Sequence, residues 1–474
     1  MAYQPIPRSD LFNVLAWLRA EVYTPTGEAW RAPRLVSWRL DDEGIAVWLA
    51  DVYVRYRQEG LGHEAAKHRV YADIERVVHP PPPPPPPPVP PPSPWRRMAG
   101  VLRIEDGAYI DDAGPILPVY CHAGDLLARV ARGEAPIVEQ ILNVIGAAGY
   151  HGVRTWTVLE GAYWHGMEVG PWGATYRDVL LRFCAMLRAR ALRWQCSQGD
   201  LWHLMSGDRI AVRGALLDAL TPDVLSALDG ANEAANNGCD DPSAVANWLH
   251  PLAQRFPHVV SLSSYPEEAT PEAHGEAVRA WTQWSATIFD QHLARPDDVG
   301  NIRVQFNAGY ERPEGTPRLG AASEPRGPGQ RVSGHRVTDP HVLQQMALAA
   351  AMSGQSYTYF CGPGVRSDEP EQFVGMPGFR EVPALIHSLP QDCHRWLRCH
   401  GGRRWEGTRV YAVVPDGSPT VRADHAIAPD GRFLAHIYGE GWQACLTERR
   451  HVVEHARDFG DAALRGRLII GRLT

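Results

Sequence analysis

Two acidic residues stand where strand-like segments give way to loops, and an arginine stands near the end of another such segment. Leu228-Asp-Gly-Ala-Asn232-Glu233 closes one, Ala321-Ala-Ser323-Glu324 closes a second, and Gly152-Val-Arg154-Thr-Trp156 is the third. A pair of carboxyl groups can divide acid–base work when one stays protonated and the other ionised, and the charge on the second favours the protonated form of the first. Each residue also has a plainer reading. Glu233 can be an exposed loop carboxylate or an N-cap for the next helix. Glu324 precedes Pro325 in a Gly/Pro-rich stretch and can simply begin a loop, with Glu311 and Glu314 as its substitutes. Arg154 can be one half of a structural ion pair.

The elements that must position these residues alternate between strand and helix for nearly 300 residues. A hairpin (Val101–Ile104, a turn at Asp106-Gly107, then Tyr109-Ile110) leads them. Strands are expected at Ile116–Cys121, Gly152–Val158, Arg193–Cys196, Val224–Leu228, Val259–Ser263, Ile302–Phe306, Arg318–Ala322 and Tyr357–Cys361. Amphipathic spacing predicts helices at Pro136–Ala148, Tyr176–Arg190, Arg209–Leu220, Pro242–Phe256, Glu276–Leu293 and Pro340–Met352. Eight strands separated by helices imply an α/β fold, a (β/α)₈ TIM barrel over residues 95–390. The weak place lies between the sixth and seventh strands, where the Gly/Pro-rich connection is too short for a full helix. Short alternating strands from about Gly402, with turns at Pro415-Asp-Gly417 and Pro429-Asp-Gly431, predict a β-sandwich-like all-β domain over 391–474.

Ahead of the barrel the chain carries a proline tract: Pro80 to Pro88 without a break, then Val89, Pro90 to Pro92, Ser93 and Pro94. Such a run adopts polyproline II, rising about 3.1 Å per residue and spanning roughly 45 Å as a stiff rod over 80–94. It sets off residues 1–79, where apolar residues at helical spacing (Ile45, Leu49, Val52, Tyr56, then Ala66, Val70, Ile74, Val77) predict a small helical domain. That domain shows no constellation of catalytic residue types. A docking module on a stiff spacer is the expectation.

The strand ends resemble those of the clan A glycoside hydrolases, (β/α)₈ barrels that cleave glycosidic bonds with retention. Gly107-Ala-Tyr-Ile110-Asp111-Asp-Ala-Gly114-Pro115 is similar to the hairpin that opens family members, and Gly149-Tyr-His-Gly-Val153-Arg154 to the run into their second strand. The resemblance covers about Val101 to Leu385. It implies Glu233, after Asn232 at the end of strand four, as the acid/base and Glu324 at the end of strand seven as the nucleophile. Retention needs two carboxyl groups about 5–5.5 Å apart across the scissile bond. The resemblance further implies that Arg154 keeps Glu324 ionised and that Asn232 bonds the sugar's 2-hydroxyl. Tyr310 and Tyr265 are the candidates for the tyrosine that orients the nucleophile. The family's His-x-Tyr near strand six is missing, Asn307-Ala-Gly-Tyr310 standing there instead. Sixteen Trp are present, and Trp156, Trp164, Trp172 and Trp202 fall in or near βα loops. Their rings can stack on sugars or can simply pack long loops.

Composition narrows the rest. A net charge of -7 offers no general attraction to nucleic acid or anionic lipid. No apolar run is long enough to span a bilayer, and Met1-Ala-Tyr-Gln-Pro lacks the pattern of a signal peptide, so cytoplasmic synthesis is expected. Lys67 is the only lysine, which excludes a P-loop. The eight Cys are scattered and read as buried thiols; Cys393-His394 with Cys399-His400 does not match a zinc ligand set, so neither metal nor cofactor is expected. The partner expected is a carbohydrate. An alternative is a structural, glycan-binding barrel that has lost turnover and docks through residues 1–79 on a large assembly, as in the modular plan of bacteriophage virion proteins.

Overall fold

The structure, a computed structural model, describes residues 95–474 apart from 161–163, 165, 173–174, 231, 233–238, 240, 257–259, 262–286, 291–297, 311–316, 323, 326, 329–338, 361–369, 402–409, 414–420, 440–441, 443, 448–450 and 461–463. The helical segments and docking domain expected in 1–79, and the proline rod of 80–94, lie outside the described residues. The chain divides into two units, Met1–Val89 and Pro90–Thr474.

The second unit opens with the expected hairpin, made of β1 (Arg103–Glu105), β2 (Ala108–Asp111) and β3 (Gly114–Pro115). Asp106 and Gly107 both take positive φ, 50° and 70°, giving the two-residue turn whose twist matches that of antiparallel strands. Tyr109 from this hairpin joins Met98, Leu102, Ile116, Tyr120, Leu319 and Ala321 in an apolar cluster, and its hydroxyl donates to Gly320 O at 2.5 Å. Ile116 and Leu319 come just before barrel strands, so the hairpin closes the amino-terminal end of the barrel.

Eight parallel strands form that barrel: β4 (Val119–His122), β5 (Gly152–Trp156), β6 (Arg193–Ser197), β7 (Leu225–Asp229), β8 (Val260–Ser261), β9 (Phe289–Asp290), β10 (Gly320–Ala322) and β11 (Gln355–Tyr359). Their order is β8-β7-β6-β5-β4-β11-β10-β9, the sequential order of a (β/α)₈ barrel with its eighth strand paired to its first. Outside them lie α1 (Leu126–Ala131), α2 (Ala135–Ala148), α3 (Tyr176–Arg188), α4 (Ser206–Ala219), α5 (Pro242–Arg255), α6 (Asp298–Tyr310), α7 (Pro340–Met352), α8 (Pro370–Val374) and α9 (Glu381–Ser388). Local chemistry sets their limits. Pro136 stands in the first turn of α2, and Gly149 ends that helix at φ 104°. The Asp241 and Asp339 carboxylates cap α5 and α7 by accepting from Ser243 N and His341 N.

One strand assignment is corrected. Residues Ile302–Phe306 are not strand six but the middle of α6, and strand six is Phe289–Asp290, inside the stretch expected to be the helix Glu276–Leu293. Ile302-Arg-Val-Gln-Phe306 alternates as a strand would, yet the two fully buried residues, Ile302 and Phe306, are four apart and share one face of a helix. With strand six moved back, α6 supplies the helix that seemed to be missing before strand seven.

The carboxy-terminal part contributes a five-stranded antiparallel sheet, β12 (Leu397–Gly401), β14 (Arg422–Ile427), β15 (Arg432–Gly439), β18 (Arg465–Leu473) and β17 (His451–Phe459) in that order, together with the pair β13 (Val410–Val413) and β16 (Ala444–Thr447). The sheet lies against α7: His436 Nε2 meets Gln345 Oε1 at 3.2 Å, and Ala426, Leu434, Tyr438 and Leu468 share the barrel's core cluster. Covered on both sides, α7 is buried from Val342 to Met352, with Ala347, Ala349, Ala350 and Ala351 permitting close approach. Among the described residues no helix is long and apolar enough to cross a membrane.

Trp194 of β6 anchors the strand–helix layer: it is fully buried, its ring is edge-on to Phe183 of α3 at 4.9 Å, and its Nε1 donates to Thr155 O. Trp194→Ala is expected to lower stability by about 3–5 kcal/mol in urea unfolding. Trp172→Ala, at a ring 51% exposed, should stay within about 0.5 kcal/mol of the parent.

Candidate active site

Alternation along the strands sends Val119, Cys121, Val153 and Cys196 into the layer beneath the helices and the residues between them into the barrel. At the carboxyl ends the inward residues are polar. His122 ends β4, Arg154 stands two residues before the end of β5, and Ser197, Asp229 and Asp290 end β6, β7 and β9. Glu324 follows β10 by two residues, and Phe360 follows β11 by one.

Arg154 is the hub of this layer. It is fully buried, and its two terminal nitrogens point to different strands: Nη1 donates to Glu324 Oε1 at 2.6 Å, and Nη2 donates to Asn232 Oδ1 at 2.7 Å. Asp229 Oδ2 lies 4.0 Å from Nη2 and accepts from Ser197 Oγ at 2.9 Å. His122 Nδ1 is 3.4 Å from Nη1, and the Trp156 ring lies 5.9 Å from the guanidinium carbon. Burial disfavours the charge on Arg154, but the carboxylates of Glu324, Asp229 and Asp290 outweigh it and hold the guanidinium above its ordinary pKa. One fully buried cation thus ties together the ends of strands two, four and seven.

The expected site residues fall out as follows. Arg154, Asn232 and Glu324 meet directly. Glu233, the next residue after Asn232, lies outside the described residues, as do Tyr265, Glu311 and Glu314. Tyr310 is on α6 rather than after strand six. Trp156, Trp164 and Trp202 are each 6% exposed. Trp156 packs edge-on to Trp164 at 5.2 Å and to His122 at 4.9 Å. Trp202 directs Nε1 toward Gly230 O at 3.4 Å, supporting the loop that carries Asn232. Cys393 is a buried free thiol and His394 Nε2 accepts from Tyr109 N at 2.7 Å, so this His has a structural bond to the hairpin. Burial, with Arg398 and Arg395 nearby, pushes that imidazole down to about 3. Among the described residues no group of three or more His, Cys, Asp and Glu is arranged to hold a metal.

His122, Ser197, Asp229 and Asp290 were not singled out from the sequence. Each is the last residue of its strand. The strand-end argument that found Arg154 and Glu324, applied to every strand, finds three of these four; Asp290 also required strand six in its true place.

No protein-family model matches the sequence, and no curated protein matches it either. Solved structures do share its architecture. A glycoside hydrolase family 5 protein from Bacteroides vulgatus aligns with a TM-score of 0.51 at 11% identity, over 78% of this chain and 93% of that one. A structure described as a glycoside hydrolase aligns at 0.49 and 10% identity, over 78% and 97% of the two chains. A β-mannanase from Streptomyces thermolilacinus, solved with mannohexaose, aligns at 0.41 and 15%, over 61% and 95%. The likeness to the family 5 structure shows a shared (β/α)₈ TIM-barrel fold, the fold that the alternation of strands and helices predicts.

Proposed function

We propose that the protein is a retaining glycoside hydrolase acting on a polysaccharide or glycoconjugate. The observation that carries this reading is the bridge from Arg154 to both Glu324 and Asn232, which gathers the ends of strands two, four and seven around one carboxylate. In the proposed reaction Glu324 attacks the anomeric carbon and forms a glycosyl ester, while Glu233 gives its proton to the departing oxygen. Glu233 then takes a proton from water, the hydroxide attacks the anomeric carbon, and the Glu324 carboxylate leaves. Arg154 holds Glu324 at Oε1 and, by its charge, favours the ionised carboxylate that a nucleophile must be. Asn232, half-buried, accepts from Arg154 through Oδ1, and its part in the reading is to bond a sugar hydroxyl.

Glu324→Gln and Glu233→Gln should each still fold and should remove turnover on a panel of β-linked glucans, mannans and glycoconjugates, with Glu324→Gln losing stability because Arg154 loses a buried counter-charge. Full activity in both variants ends the reading, and glycan binding without turnover by the parent protein would replace it with a binding role.

Arg154→Met tests the bridge. It leaves Glu324, Asp229 and Asp290 buried without their shared counter-charge, at an expected cost of about 3–5 kcal/mol at neutral pH. Carboxyls whose pKa the fold then raises favour the folded state below their unfolded pKa and oppose it as pH climbs. The deficit measured by urea unfolding should therefore shrink as the solution is acidified from pH 7 to pH 4.

A further inference from the structure

Asp229 occupies an unusual place among the acidic groups of the barrel mouth. It is 1% exposed, and it approaches the same Arg154 nitrogen that donates to Asn232. Its inward orientation is produced by a bulge. Trp194 pairs with Leu225, but Gln195 pairs with Ala227, so Ser226 is an extra residue that shifts the alternation of β7 by one. Leu228 consequently joins the outer core and Asp229 faces inward. Ser197 is the register partner of Asp229 on β6, and its hydroxyl donates to Oδ2 at 2.9 Å. The backbone pairing therefore delivers to the aspartate the hydroxyl that fixes its rotamer.

The guanidinium is held at Nη1 by Glu324 and at Nη2 by Asn232. A negative charge 4.0 Å from Nη2 opposes any rotation that would lengthen either bond, and between two buried groups such an interaction is stronger than at the surface. We propose that Asp229 is a positioning residue: locked by Ser197, it holds Arg154 in the plane that bridges Glu324 and Asn232, acting through the arginine and not on substrate. The other described titratable groups facing this arginine are His122 from β4 and Asp290 from β9, with Glu324 itself; Asp290 adds attraction for the same cation. The proposal rests on the glycosidase reading for its kinetic consequence alone.

Asp229→Asn and Ser197→Ala test it, by crystal structures of both variants and by the pH dependence of kcat/KM. In Asp229→Asn the Arg154 guanidinium should turn and lose its bond to Glu324 or to Asn232. The kcat should fall roughly 10–100-fold, the range typical for loss of an outer orienting partner, with KM little changed. The acid limb of kcat/KM should move to higher pH. An aspartate acting only through space would do the reverse, since removing an anion eases ionisation of a neighbouring carboxyl and moves the limb down. Ser197→Ala should shift the limb in the same direction by less, and it decides the matter if Asp229→Asn does not fold. Retention of both Arg154 bonds in the variants, or an acid limb that stays put or falls, overturns the proposal. Should the parent protein turn over no glycan, the glycosidase reading fails and the Arg154 geometry in the two crystal structures decides the positioning role by itself.

Discussion

A guanidinium with no access to water must be surrounded by acceptors, and Arg154 shows how much of a barrel such a demand organises. Removing the charge from water is costly, and the attraction of carboxylates repays it only with good geometry. Glu324, Asn232, His122 and Asp229 therefore come from three different strand ends, those of β10, β7 and β4, to one arginine. None of the four is near Arg154 in sequence except through the closing of the sheet. The barrel supplies the convergence, and the buried cation makes that convergence energetically necessary.

The same demand explains the layering of the interior. At the amino-terminal end the contacts are apolar, with Tyr109, Tyr120, Ile116 and Leu319 packed under the hairpin. Midway, Thr358 donates to Gln195 at 2.8 Å across the sheet, a neutral pair that needs no counter-charge. The charged cluster around Arg154 sits at the carboxyl ends, where strands give way to loops, while Arg193 at the start of β6 donates to Met98 O and Gly100 O. Polarity rises along the barrel axis, so a site that needs strong fields sits at the one end where ligands can arrive.

Much of this was legible in the residues. The Asp106-Gly107 turn, the Pro and Gly boundaries of α2 and the capping Asp of α7 each carry a local signal that tertiary structure leaves intact. Strand six was not legible. It has two residues, and its apolar neighbours continue a pattern that reads as helix, whereas Ile302–Phe306 shows a strand's alternation on a helix. Period alone does not separate the two over five residues. β17 escaped for another reason: its side chains are mostly exposed, including Val452 and Val453, so no buried face imprints a two-residue rhythm. In the site, Arg154 and Glu324 were found from their strand ends. Asp229 was passed over because its inward orientation depends on a bulge at Ser226, which leaves no local mark in the sequence.

The burial of α7 on every side bears on how the molecule can be divided. An amphipathic barrel helix turns a polar stripe outward and survives without cover. This one offers alanines and methionines to a sheet instead, and Gly466 runs so close to Gln345 that a methyl group there would collide with it. Amputating the chain after residue 390 would thus bare a greasy rod on the flank of the cylinder. The last strands are masonry of the barrel itself, and a trimmed version would trade solubility for brevity.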